Sequence, residues 1–233
     1  MAMTTILFDL DGTLLPMDQD VFVKSYFKRL AAKLVPYGYE PQQLIEAIWK
    51  GTGAMIMNNG ACTNEQAFWH VFAKLYGEGC LQHIPVFDDY YHNEFQAVAG
   101  DCGHDPRAAQ CIAELKQKGY RLALATNPIF PSIATESRMR WAGLNKDDFE
   151  LYTTYENSRY CKPNLDYYRA ILEQLKVEPK ECLMVGNDVS DDMVVRELGM
   201  QVFLLTDCLI NKDNVDISQF PHGSFEELLA FID

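Results

Sequence analysis

The sequence predicts an α/β protein: a parallel sheet covered by helices on both faces, with an all-helical segment inserted after the first strand. Three observations carry that class. Short aliphatic and β-branched runs alternate with stretches of helical period across most of the chain. The connections between them are short, which fits right-handed crossovers and strands buried on both sides. Residues 17–96 break the rhythm, with little strand signal and four apolar stripes at helical spacing. The expected organisation is a sheet-bearing unit of residues 1–16 and 97–233 and a helical unit of residues 17–96.

Taken in order, Thr5 to Asp9 reads as a strand that ends on a carboxylate. The inserted stripes are Phe22, Tyr26 and Leu30; Leu44, Ile45 and Ile48; Phe68, Phe72 and Leu75; and Phe87, Tyr91 and Phe95. Thr63 and Gln66 form a capping-box pattern ahead of the third. Gly51 to Gly60 reads as the most loop-like part of the insert. Pro106 to Lys118 is a helix with Ile112 and Leu115 inward and Gly119 as its stop. Arg121 to Thr126 is a second strand, and Pro131 to Ala142 a helix closed by Gly143. Leu151 to Thr154 is a short third strand, and Asn164 to Leu175 a helix with Pro163 at its mouth. Cys182 to Gly186 is a fourth strand, Asp191 to Leu198 a helix ending at Gly199, Val202 to Leu205 a fifth strand and Phe225 to Ile232 a last helix.

Composition narrows the function. The 233 residues are 48% hydrophobic, enough to bury a substantial core. A formal charge of -13 repels nucleic acid and anionic membrane surfaces, so neither is an expected partner. There is no apolar run of membrane-spanning length and no signal-peptide pattern. The seven cysteines are scattered without a CxxC pair, as free thiols in a reducing cytoplasm would be. The expected location is therefore cytoplasmic. The five histidines show no metal-ligand spacing, which speaks against a zinc site.

In a parallel sheet, ligands bind at the carboxyl ends of the strands. Asp9 ends the first strand, with Asp11 two residues on; Thr126 and Asn127 end the second; Lys162 follows the third; Asp188, Asp191 and Asp192 follow the fourth. A carboxylate cluster with one lysine and one hydroxyl suits a divalent cation beside a phosphoryl group. Mg²⁺ takes one or two carboxylates together with water and phosphate oxygens, and Asp9 and Asp188 could supply them. Lys162 would neutralise phosphate oxygens, and Thr126 would hydrogen-bond one, with Asn127 beside it. Asp9 and Asp11 are two apart on extended backbone and point the same way. One could attack phosphorus while the other handles the proton of the leaving oxygen. Trp49, Met55, Asn58 and Asn59 are candidate substrate contacts in the insert, although packing or exposure accounts for each as simply.

The ordered set "DLDGT", strand-end Thr126, "KP" at Lys162 and "GNDVSDD" resembles the four motifs of the haloacid dehalogenase superfamily, and the insert resembles its helical cap. The resemblance implies a Rossmann-like core and Mg²⁺-dependent hydrolysis of phosphate monoesters through an aspartyl-phosphate. It implies Asp9 as nucleophile and metal ligand, and Asp11 as acid/base, its carbonyl also a ligand. It further implies Thr126 and Lys162 on phosphate, Asp188 as the third metal ligand, and Asp192, favoured over Asp191, as a supporting residue. Asp11 separates the chain from the dehalogenase and phosphonate-cleaving branches. A small phosphorylated metabolite is the expected substrate. A sugar phosphomutase and a phospho-acceptor signalling module are the alternatives, and the oligomeric state stays open.

Overall fold

The computed structural model describes residues 3–233. Six parallel strands form one sheet: β1 (Thr5–Phe8), β2 (Arg121–Leu124), β3 (Leu151–Tyr152), β4 (Cys182–Gly186), β5 (Gln201–Leu205) and β6 (His222–Gly223), in the order β3-β2-β1-β4-β5-β6. The chain builds outward from β1 to one side, then returns to build the other. This places a topological switch point between β1 and β4, where open α/β sheets hold their ligands. Phe8 pairs with Leu124 on one side and Val185 on the other, so three strand tips end level with one another.

The sheet is Rossmann-like, with a packed layer on each face. Ile6 and Phe8 point to one side, against Ile112 and Leu115 of α5 (Pro106–Gln117) and Leu228 of α8 (Phe225–Ile232). Leu7 points to the other, against Tyr168 and Ile171 of α7 (Leu165–Leu175). This alternation follows from the two-residue period of a strand. The remaining core helix is α6 (Ser132–Trp141).

Between β1 and α5 run α1 (Gln19–Leu34), α2 (Pro41–Ile56), α3 (Asn64–Tyr76) and α4 (Ile84–His92). Their inward faces, including Phe22, Leu30, Leu44, Phe72 and Phe87, form a separate apolar cluster. The Thr63–Gln66 capping box opens α3. No described helix is long and apolar enough to cross a membrane.

Four local expectations need correction. Residues 51–56 are helical, and the loop begins at Met57. A Cβ on Gly51 would stand 2.5 Å from the Phe68 ring, so this glycine serves close helix packing and not a turn. Asp191 to Leu198 is not an α-helix but two turns followed by a 3₁₀ segment over Met193–Leu198. There the Asp188 carboxylate accepts from the backbone N–H of Ser190 and Asp191, a local alternative to the helical ladder. The fourth stripe is split at Asn93 into α4 and a 3₁₀ stretch, Glu94–Asp101. The third strand ends at Tyr152, while the two-residue β6 has too few residues to show alternation.

Candidate active site

The tips of β1, β2 and β4 and the loop before α7 converge on one cavity of about 420 Å³, roofed by α1–α4. Asp9, Asp11, Thr126, Asn127, Lys162, Asp188, Asp191 and Asp192 all line it. The sheet register explains the meeting. The Asp9 N–H donates to Val185 O at 2.9 Å, which fixes it beside β4. Beyond Asp11 the chain turns sharply: Gly12 has φ +85°, and a Cβ there would meet the Asn187 side chain at 2.3 Å. Only glycine satisfies both demands.

Lys162 is the hub of the buried charges. Its Nζ donates to Asp9 Oδ1 at 2.9 Å and to Asp192 Oδ1 at 2.6 Å. Burial alone would lower its pKa, but the Asp192 and Asp9 carboxylates overcome this and hold it well above the usual range. Asp192 is pushed up to about 7 by burial, against the pull of Lys162. Its other oxygen accepts from the Asp188 N–H at 3.0 Å, and a Cβ on Gly186 would collide with it. Asp192 therefore braces Lys162 and the β4 tip together. Asp191 has a different setting: its carbonyl accepts from the Tyr168 hydroxyl at 2.7 Å, and its carboxyl is raised by burial and by Asp188.

Asp9 Oδ2 lies 2.9 Å from the Thr13 hydroxyl, which is also 3.0 Å from Asn187 Oδ1. The Asn187 amide donates to Cys208 O at 2.6 Å, joining β1, β4 and the loop after β5. Thr126 is buried, and its carbonyl accepts from Thr153 at 2.6 Å and Tyr167 at 2.8 Å. Asn127 Oδ1 accepts from the Lys162 N–H at 3.3 Å, setting the backbone that carries the lysine.

Asp11 holds one oxygen on Arg138, an arginine only 1% exposed. The other, Oδ1, has no partner among the described residues. Burial raises the Asp11 pKa; Arg138 opposes this and Asp9 adds to it. The Arg138 guanidinium lies 4.5 Å from the Phe130 ring centroid and bonds Ala134 O and Thr135 Oγ1, both at 3.3 Å. Arg138 and Thr13 escaped the sequence reading. The available signal for Arg138 was a cation placed one turn from Ala134 and Thr135 on the inner face of α6. Among the candidate contacts of the insert, Trp49 lines the cavity. Met55 is buried in the bundle core, Asn58 donates to Asn64 and Cys62 O, and Asn59 closes a turn on Ala61.

The charge balance fits a cation. Among the described residues, Asp9, Asp11, Asp188, Asp191 and Asp192 face only Lys162, Arg138 and, near Asp191, Lys212. Among the described residues no three acidic, histidine or cysteine side chains gather into a cage. Two carboxylates, Asp9 and Asp188, nevertheless line the same cavity and would fit the sparse oxygen set that Mg²⁺ accepts when water and phosphate complete its shell.

The insert is also stitched to the core at the start of α3. Buried Asn64 donates through its amide to Pro128 O at 3.1 Å, Tyr160 O at 3.3 Å and Cys161 Sγ at 3.3 Å. Its N–H reaches Ser158 O at 2.8 Å, and that of Glu65 reaches Tyr155 O at 2.9 Å.

Residues 3–199 match the family model for haloacid dehalogenase-like hydrolases. The chain is 29% identical over 203 residues to a phosphoglycolate phosphatase of Vibrio vulnificus, covering 86% of this chain and 82% of that one. It is 25% identical over 222 residues to a glyceraldehyde 3-phosphate phosphatase of Methanothermobacter thermautotrophicus, covering 91% and 93%. The fold is shared with a HAD phosphatase of Thermococcus onnurineus, with a TM-score of 0.61 at 20% identity and coverage of 99% and 98%. The strand-tip arrangement and the match over most of the chain lead to one conclusion: this chain belongs to the haloacid dehalogenase-like hydrolases.

Proposed function

We infer that the protein is a Mg²⁺-dependent phosphatase of small phosphorylated metabolites, working through a phosphorylated Asp9. One observation carries the reading: Asp9, Asp11, Lys162 and Asp188 line one cavity at the switch point of the sheet. The relatives named as phosphatases of small esters support it. Asp9 and Asp188, with the Asp11 carbonyl, would hold Mg²⁺, which when bound offsets the phosphoryl charge.

The residues then divide the work. An Asp9 oxygen attacks phosphorus and the ester oxygen departs. Asp11 supplies the proton that this oxygen needs; its raised pKa and unpartnered Oδ1 suit a carboxyl that carries one. The deprotonated Asp11 then takes a proton from water as water attacks the acyl phosphate, releasing inorganic phosphate and restoring Asp9. Lys162, held protonated by Asp192 and Asp9, binds phosphoryl oxygens, and the Thr126 hydroxyl donates to one. Residues 17–96 act as the cap that excludes bulk water and selects the ester. A phosphomutase would carry a doubly phosphorylated intermediate and need a second anion site, yet the cap residues lining the cavity carry no charge.

The test is phosphate release from a panel of metabolite esters, with and without Mg²⁺, beside Asp9→Asn. Release that needs both Mg²⁺ and Asp9 is expected. Undiminished release by Asp9→Asn would remove the nucleophile assignment.

A further inference from the structure

The cavity has two unlike walls. Every charged group on it belongs to the core side: Asp9, Asp11, Asp188, Asp191 and Asp192, with Lys162 and Lys212. The wall facing them is ring-lined, by Phe22, Phe27, Trp49, Phe68, Trp69 and Phe87. Its polar groups are few, and two of them are already paired. The Tyr26 and Tyr91 hydroxyls bond each other at 2.9 Å, so each already has a partner. Burial pushes the Tyr26 pKa up to about 12, which keeps that hydroxyl neutral. Gln19, Thr52 and the indole N–H groups of Trp49 and Trp69, the last without a partner among the described residues, are the other hydrogen-bonding groups that the cap contributes there, too few for a polyhydroxylated ligand.

A carboxylate or second phosphate on the leaving group would be desolvated against rings with no cation to meet it, at high cost. A sugar would leave several hydroxyls unpaired for the same reason. A neutral apolar or aromatic leaving group would instead gain from burial and ring contact. We propose that the substrate is a phosphate monoester of an uncharged, largely apolar alcohol, with its hydrocarbon or aromatic part in the ring-lined half of the cavity. The inference rests on the phosphatase reading above and names its substrate class.

The experiment compares kcat/KM, with Mg²⁺, for four esters: 2-phenylethyl phosphate, ethylene glycol monophosphate, glucose 6-phosphate and phosphoglycolate. The first two are esters of primary alcohols and differ chiefly in the ring, so intrinsic leaving-group ability does not decide between them. 2-Phenylethyl phosphate should lead the other three by roughly 10- to 100-fold, the scale of burying one aromatic side chain. Trp49→Ala, at a position 52% exposed and therefore compatible with folding, should lower that lead several-fold through KM. Faster turnover of phosphoglycolate or glucose 6-phosphate overturns the proposal. So does equal turnover of all four, and so does a lead unmoved by Trp49→Ala. If those esters are cleaved only when Asp9 is present, the phosphatase reading stands while the substrate class falls. If no ester yields Asp9-dependent phosphate, both fall.

Discussion

The two walls of the cavity are built by different rules. On the core side, side chains are fixed by hydrogen bonds to one another and to the sheet: Lys162 to Asp9 and Asp192, Asp192 to the Asp188 N–H, Thr13 to Asp9. Removing Lys162 or Asp192 there would leave a buried charge unmet. On the cap side the rings meet edge to face, as Trp69 does with Phe87 at 5.1 Å and Phe27 with Trp49 at 5.4 Å. Such contacts tolerate exchange of one ring for another with modest loss. The difference separates a wall constrained by chemistry from one constrained by shape.

The largest expected effect lies on the charged wall. Asp9→Asn should lower phosphate release by about 10⁴-fold or more, the scale of losing a covalent nucleophile. Its thermal midpoint should hold, because Lys162 keeps Asp192 and the cluster sheds a negative charge. A calorimetric scan beside the assay separates the two outcomes; a variant that loses both would mean that Asp9 serves the fold.

Next comes the buttress behind that wall. Arg138→Met keeps most of the volume but takes the ion-pair partner from Asp11, leaving only the more distant influence of Lys162. Stability should fall by about 2–4 kcal/mol in urea titrations, the lower part of the range for breaking a buried pair because Asp11 is 23% exposed. An unchanged midpoint would place the pair outside the structural framework.

On the ring side, Gly51→Ala should cost about 1–2 kcal/mol. Alanine ordinarily stabilises a helix interior by roughly 1 kcal/mol over glycine. Here its Cβ would press into the Phe68 ring at 2.5 Å, and overpacking of that kind outweighs the propensity gain. A stabilised variant would show the cap wall to be looser than its packing indicates.

The smallest effect concerns whether the walls move apart. Cys161 is 1% exposed, accepts from Asn64, and has a pKa pushed up to about 12 by burial. At pH 8 its thiolate fraction is about 10⁻⁴ while the fold is closed. Labelling with a disulfide reagent should therefore start at Cys62 and Cys208, which are part exposed, and reach Cys161 only late, with the equally buried Cys111 and Cys182. Rapid labelling of Cys161 would mean that the cap separates from the core often.

The sheet and the charged wall were largely legible in sequence because both are local. Hydrophobic runs mark β1, β2 and β4, and a residue that follows a parallel strand must emerge at the shared edge. The ring wall was visible only as helical stripes. Which rings turn to the cavity and which to the bundle depends on how α1–α4 pack, and period alone does not encode that. Trp49 and Met55 sit within two turns of α2, yet one lines the cavity and the other is core. Arg138 was hidden for a related reason. Its partner, Asp11, is 127 positions away, so nothing near it in the chain identifies a buried ion pair. Gly51 misled because a glycine that admits a neighbouring ring looks the same, in one sequence, as a glycine that ends a helix.

The Asn64 clasp bears on how caps could be exchanged between relatives. The amide of one buried asparagine ties the start of α3 to backbone at Pro128 and Tyr160, contacts separate from the two points where the chain enters and leaves the insert. A graft cut only at those two crossings would strand three acceptors on the recipient and an unsatisfied amide on the transplant. The transferable module is thus discontinuous: residues 17–96 together with Pro128 and the loop 155–161. Chimaeras that respect this boundary should fold where simpler swaps aggregate.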